Sequence, residues 1–186
     1  YIKVSRETFQ KLLLYKHLLS KWQKKMNLVS KTSLKHALHR HFLDSAQIYK
    51  YCYKSDGNIL DFGTGAGFPG LVLAIMGIKN IHLVESNKKK CEFLTEVLLQ
   101  TETISKVHNC RIEYLPYLAP SFIISRALAP TKKLLKLCIN YMSRENSSFS
   151  QKEVLNNLPN LLFLKGKNYK NELASLSSNL NIKFNI

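Results

Sequence analysis

The sequence predicts a doubly wound, parallel α/β sheet preceded by a basic helical extension. From residue 58 onward, short apolar runs alternate with longer amphipathic stretches, the pattern of strands joined by crossover helices. The first run, Ile59-Leu60-Asp61-Phe62, opens into Gly63-Thr64-Gly65-Ala66-Gly67-Phe68-Pro69-Gly70, a glycine loop that leads into a helix. Charge sets the extension apart. Residues 1–54 hold 12 Lys and Arg against only Glu7 and Asp44, and so carry +10 of the chain's +16.

Residues 5–27 are predicted as one long helix. Phe9, Leu12, Leu13, Leu19, Trp22 and Met26 recur largely at three- and four-residue steps, with Lys11, Lys16, Lys21, Lys24 and Lys25 between them. Ser5 suits the N-cap and Glu7 the first turn. A second helix is expected over 33–51, with Leu34, Ala37, Leu38 and Ile48 inward. Ser55-Asp56-Gly57 is a turn, and divides the extension (1–54) from the α/β domain (55–186). There follow a strand at 58–62, a helix at 68–76 and a strand at 81–84. A helix at 87–100 has Cys91, Leu94, Val97 and Leu98 on its apolar side. Strands are then expected near 111–114 and at 122–125, and a helix at 131–142. The polar, Ser/Asn-rich stretch 143–158 reads as a surface excursion, 161–164 as a strand, 169–179 as a helix and 182–186 as the start of another strand.

Composition bounds the function. Apolar residues make up 45% of the 186, enough for a sizeable core. No apolar run approaches the ~18 residues of a membrane span. The four cysteines stand singly with no C-x-x-C pair, which predicts free thiols and a reducing cytosol. His36, His39 and His41 have no carboxylate or thiol at obvious ligand spacing, so no metal is expected. The basic balance predicts a polyanionic partner, nucleic acid rather than membrane.

Glycines at 63, 65 and 67 would each cost about 0.5–1 kcal/mol relative to Ala in a regular element. Their use is to bring backbone N–H groups against a ligand at a helix N-terminus. Glu85 ends the second strand 22 residues after Gly63, where an acid accepts from ribose hydroxyls. A dinucleotide fingerprint, G-x-G-x-x-G, is present at 65–70, but Gly63 and Thr64 separate it from the strand. Asp61 at the strand end would also repel a pyrophosphate, and no G-x-x-x-x-G-K-[ST] occurs. The pattern Asp61-x-Gly63-x-Gly65-x-Gly67 suits a ribose, an adenine and a cationic end without pyrophosphate, a description that S-adenosylmethionine meets. A nicotinamide oxidoreductase, an RNA-binding module without activity and a small-molecule methyltransferase are the alternatives.

The loop string from Leu60 to Gly70 resembles the cofactor loop of the RsmG (GidB) family of bacterial small-subunit rRNA guanine-N7 methyltransferases. Further segments match in order over nearly the whole chain. Lys21-Trp22-Gln23-Lys24-Lys25-Met26-Asn27-Leu28 resembles the family's W-N-x-x-x-N-L, with Gln23 replacing the first Asn. His41-Phe42-Leu43-Asp44-Ser45 matches H-x-x-D-S, Ser125-Arg126-Ala127 matches S-R-A, and Leu164-Lys165-Gly166 matches L-K-G. The chain departs where the family places an Asp before S-R-A and this sequence has Ser121. It also stops as a strand begins, where the family closes its sheet with a hairpin, so the expectation is either that the chain continues beyond Ile186 or that the domain's last strand is reduced or lacking.

The resemblance implies a Rossmann-like class I S-adenosylmethionine-dependent methyltransferase acting on 16S rRNA or the small ribosomal subunit; a monomer in the cytoplasm is expected. It implies cofactor contacts from Gly63, Phe68, Ile112, Glu113 and Arg126, beside Gly65 and Glu85 from the loop and strand pattern. Glu113 is expected at the end of the third strand, where adenine edges are read. Arg126 ends an apolar strand at the ligand-facing edge, and its guanidinium is the group expected to handle substrate. Guanine N7 carries a free lone pair, so no general base is expected. His41 is expected to pack or hydrogen-bond near the cofactor loop, Trp22 to lie in the core, and Lys88-Lys89-Lys90 to face the ligand side.

Overall fold

The computed structural model describes residues 3–145, 150–174 and 176. Helix α1, Arg6–Gln23, begins where the Ser5 hydroxyl accepts from the Thr8 N–H at 3.0 Å. Its buried face is Tyr15, Leu18 and Leu19, with Leu12, Leu14, Trp22 and Met26 packed beside the core. Phe9 and Leu13, expected inward, are exposed. They lie roughly 120–160° round the helix from Tyr15, off the stripe that continues through Trp22 and Met26.

The single helix expected over 33–51 is broken into α2 (Lys31–Lys35), a π-helical turn (Leu38–Leu43), α3 (Asp44–Ala46) and α4 (Tyr49–Cys52). The wide π turn brings His41 and Phe42 inward together and leaves Leu38 exposed, against expectation. Ala37 and Ile48 are buried, and Leu34 packs against the core.

Five parallel strands form the sheet, in the order β3-β2-β1-β4-β5. They are β1 (Asn58–Phe62), β2 (Ile81–Glu85), β3 (Lys106–Asn109), β4 (Pro120–Arg126) and β5 (Asn160–Leu164). Helices α5 (Gly70–Ile75) and α6 (Lys88–Gln100) link the first three strands, and α7 (Thr131–Met142) follows β4. Side chains alternate across the sheet and feed two cores. Ile59, Ile81, Leu83 and Ile124 join Tyr15, Leu19, Phe42, Leu71 and Phe93 on one face. Leu60, Phe62, Val84 and Ile123 join Cys138 and Tyr141 on the other.

Three element expectations need correction. The third strand is Lys106–Asn109, and Ile112–Tyr114 is a 3-10 turn. As an edge strand β3 exposes both its ends and shows no apolar alternation, whereas Ile112 is apolar because the turn buries it against Leu60 and Val84. The helix expected from residue 68 starts at Gly70, because the N–H groups of Gly67 and Phe68 close a separate turn onto the Thr64 carbonyl. The excursion expected at 143–158 contains α8 (Gln151–Asn156), opened by a reciprocal capping box between Ser150 and Glu153. Helix α9, Tyr169–Ala174, covers the described part of the helix expected at 169–179, and the strand expected at 182–186 lies outside the described residues.

All four cysteines are free thiols. Among the described residues no helix is long and apolar enough to cross a membrane, and no cluster of His, Cys, Asp and Glu could hold a metal ion.

Candidate functional site

Strand order reverses about β1, and ligands of open α/β sheets lie at such a point, beyond the carboxyl ends of the strands. A cleft of about 550 Å³ opens there. Gly63, Gly65, Phe68, Glu85, Ile112, Glu113 and Arg126 all line it. Ile112 and Glu113 reach it from the 3-10 turn rather than from a strand end.

The glycine loop is held from below and behind. Asp61 does not face the cleft, contrary to its expected position against a ligand. It is fully buried, and its Oδ2 accepts from Thr64 Oγ1 at 2.6 Å and from the Gly70 N–H at 2.8 Å. Burial pushes its carboxyl up to about 6, opposed by those two hydrogen bonds, while Oδ1 has no partner among the described residues. Tyr15, which the periodicity of α1 did not single out, donates its phenol to the Ala66 carbonyl at the loop's tip. A Cβ on Gly67 would meet the Tyr15 hydroxyl at 2.6 Å, and Gly67 has φ +96°. Gly65, at φ +62°, is different: an added Cβ would meet only the Gly63 carbonyl oxygen at 3.9 Å, so its missing side chain leaves open cleft.

These bonds also answer the dinucleotide fingerprint. The N–H groups of Gly67 and Phe68 go to Thr64 O, and that of Gly70 goes to Asp61. None of the three is left to cradle a pyrophosphate.

Glu85 ends β2 beside the loop. Its Oε2 accepts from the Gly65 N–H at 3.1 Å and its Oε1 from the Asn87 N–H at 2.8 Å, with Lys90 Nζ 4.0 Å away. Each carboxylate oxygen retains acceptor capacity toward the cleft.

Arg126 ends β4 on the opposite side of β1. Its Nη1 donates to the Arg40 carbonyl at 2.9 Å and to His41 Nδ1 at 2.8 Å, and its guanidinium lies 4.9 Å from the centroid of Phe68. Burial lowers its pKa. His41 stacks on the same Phe68 ring at 4.9 Å, and burial with the adjoining Arg126 charge lowers its pKa to about 4. Phe68 thus carries Arg126 and His41, and stacks on Tyr15 at 5.4 Å.

Two sequence segments away from the loop shape the rim. The Gln23 side chain accepts from the N–H groups of Leu28 and Val29 and donates to the Val29 carbonyl at 2.9 Å, fixing the turn that puts both residues on the cleft wall. Lys165 donates to the carbonyl of Ala129, also on the wall, and pairs with Glu172 at 2.7 Å. Trp22 packs edge-on to Phe93 and donates to Glu96 at 2.8 Å, a bracing role between α1 and α6. Ser121 sits near the start of β4, bonded to Ser55 and Asn58 and away from the cleft. Of the lysine run 88–90, Lys90 reaches the cleft wall, as do Arg111 and Lys133.

Residues 8–184 match the family model of rRNA small subunit methyltransferase G. The chain belongs to that family. It is 40% identical to ribosomal RNA small subunit methyltransferase G of Paramagnetospirillum magneticum over 96% of this chain and 81% of that protein. The protein of the same name from Rhodospirillum rubrum is 44% identical over 73% of this chain and 67% of its own length. Among solved structures, magnesium protoporphyrin IX methyltransferase from Synechocystis aligns with a TM-score of 0.52 at 12% identity, over 75% of this chain and 68% of that one. That likeness bears on fold, and agrees with a Rossmann-like class I methyltransferase sheet.

The residues present fit the methyl donor of such enzymes. An acid at the end of β2 suits ribose hydroxyls, Ile112 and Leu137 give apolar surface for an adenine, and the open space at Gly65 admits a ligand close to backbone.

Proposed function

We propose that this protein transfers the methyl group of S-adenosylmethionine to N7 of a guanine at one defined position in 16S rRNA, a step of rRNA processing. Family membership supports the donor and the class of RNA. The observation that carries the residue roles is the placement of Glu85 and Arg126 at the carboxyl ends of the two strands flanking β1, on either side of the glycine loop.

When bound, S-adenosylmethionine supplies a methyl group already activated by its sulfonium. Guanine N7 brings its own lone pair, so this chain's residues bind and orient and no general base is needed. Glu85 accepts from the ribose hydroxyls, and Ile112 and Glu113 edge the adenine. Gly63, Gly65 and Phe68 form the floor. Arg126, fixed by Arg40 and His41, handles the substrate, directing its guanidinium to the guanine, an RNA phosphate or the donor's carboxylate. Lys90, Arg111 and Lys133 add positive charge along the cleft wall, and the basic extension of residues 1–54 grips RNA backbone. The enzyme works as a monomer in the cytoplasm.

The test is transfer of label from methyl-labelled S-adenosylmethionine to small-subunit RNA, followed by identification of the modified base. Label recovered as 7-methylguanine from one site supports the reading. An unlabelled RNA, or label in a different base, overturns it.

A further inference from the structure

A second cavity, of about 450 Å³, lies where the strands begin, at the other end of the sheet from the methyl-donor cleft. Its walls are Lys3, Ser5 and Thr8 from the start of α1, and Gln47, Tyr49 and Lys50 from the chain that leads to β1. Met76, also on its lining, caps α5, which has run back from the carboxyl end of β1 toward the start of β2. The two cavities share no lining residue, and among the described residues that line the second, none is acidic.

Beside this cavity the chain reads Tyr49-Lys50-Tyr51-Cys52-Tyr53-Lys54. Cys52 alone among them is buried in the core. Tyr53 stacks on Tyr49, with centroids 5.7 Å apart and planes at 14°. Lys50 Nζ stands 4.8 Å from the Tyr51 centroid, and Lys54 Nζ 5.5 Å from that of Tyr53. Tyr51 and Tyr53 remain 56% and 51% exposed. Tyr49 and Tyr53 lie one turn apart along α4 and its C-cap, and Lys50 and Lys54 are spaced likewise, while Tyr51 points about 160° away from Tyr49. Ring and ammonium groups thus stand together next to a basic and hydroxyl-lined cavity, an arrangement that matches what an unpaired polynucleotide needs. Its bases stack on aromatic faces and its phosphates meet cations, without sequence-specific pairing.

We propose that this face is a second RNA contact, remote from the methylated guanine, which holds an unpaired stretch of the same rRNA. One base enters the cavity against Tyr49, a neighbouring base stacks on Tyr53, and Lys3, Lys50 and Lys54 meet the intervening phosphates. The proposal rests on the reading of the protein as an rRNA enzyme, and adds a site that the cleft does not contain.

The test uses the full chain and a fluorescein-labelled oligouridine of about 12 nucleotides, a length within the span of single-strand sites. Tyr53→Ala is expected to weaken oligouridine binding by about fivefold or more, from the stacking on one ring. Lys50→Ala/Lys54→Ala is expected to flatten the slope of log K against log salt by about 1.4, the value for two phosphate contacts of a single strand. Both variants should bind S-adenosylhomocysteine as the wild type does, which separates loss of the site from loss of the fold. Unchanged affinity and salt slope in these variants overturn the proposal, as does absence of oligouridine binding by the wild type. A loss confined to vesicles of phosphatidylglycerol overturns it too, by assigning the face to a lipid surface. Methyl transfer by the wild type is scored separately: its absence sinks the functional reading, whereas variant-specific loss of oligouridine binding upholds the site.

Discussion

The guanidinium of Arg126 donates to Nδ1 of His41 at 2.8 Å, across 85 residues of chain. Arginine is a permanent donor, so Nδ1 must be the acceptor and the imidazole proton resides on Nε2. That nitrogen is buried without a hydrogen-bond partner among the described residues, a cost borne by the stack of His41 on Phe68. The π turn contributes as well. The Asp44 N–H bonds to the His41 carbonyl instead of reaching Arg40 four residues back, and the Arg40 carbonyl accepts the same Arg126 nitrogen.

Replacing Arg126 with Ala should lower methyl transfer to 16S rRNA by about a hundredfold or more, while S-adenosylhomocysteine affinity changes only a few-fold. Single-turnover kinetics beside calorimetric binding separates the two. Full activity in the variant would remove Arg126 from the mechanism.

Tyr15→Phe keeps the ring contacts to Phe42 and Phe68 and deletes only the hydrogen bond to Ala66. One such bond contributes about 1 kcal/mol, so the Tm should fall by about 2–4 °C and methyl-donor affinity by about fivefold. A donor affinity equal to wild type would mean that the loop keeps its shape without the phenol.

Glu85→Gln retains an acceptor for the Gly65 N–H but removes the charge that strengthens bonds from ribose hydroxyls. Charged hydrogen bonds contribute about 1.5–3 kcal/mol, so donor affinity should fall tenfold or more. Equilibrium dialysis with labelled S-adenosylmethionine would measure it. The loss should be much smaller for a ligand that lacks the ribose hydroxyls.

Stability should fall on mild acidification. Burial lowers His82 to about 4, with the adjoining His108 and Lys106 adding to it, and His41 to about 4. Unfolded histidine titrates near 6.5. Between pH 6.5 and about 4 the unfolded chain therefore binds protons that the folded chain does not, and stability drops as pH drops through that window. Asp61 acts in the opposite sense. Its raised folded value, about 6, takes stability away as pH rises from about 4 to 6. Urea midpoints at pH 4.5, 5.5 and 7 should show the decline, steeper in Asp61→Asn. A flat profile in both proteins would contradict these assignments.

How far the residues announced their places depends on which force put them there. Ile59, Leu60 and Phe62 face the two cores of a central strand, so hydrophobicity alone marks β1, and glycines at positive φ mark the loop. Arg126 and Glu85 were legible as polar ends of apolar strands. Edge strand β3 carries little buried surface, so Ile112, buried in a turn, drew the strand assignment away from it. The π turn breaks the 3.6-residue period that a helix over 33–51 assumed. Phe9 and Leu13 fit three- and four-residue steps yet lie off the buried stripe of α1, which Leu19, Trp22 and Met26 define and which includes Tyr15. Helix α8 did have a signal, the S-x-x-E of Ser150 and Glu153, hidden within a polar stretch.

Tyr15, Leu18, Leu19 and Phe42 share one core with Ile59, Leu71 and Phe93. That joint burial predicts that the basic helices and the glycine loop melt as one cooperative unit. A ligand that binds only the folded state raises the unfolding free energy of everything in that unit. Methyl donor at 100 times its Kd would add about 2.7 kcal/mol to the unfolding free energy of those helices. Amide hydrogen exchange in α1 should slow accordingly. The supply of methyl donor thus sets the lifetime of a surface that the donor never touches.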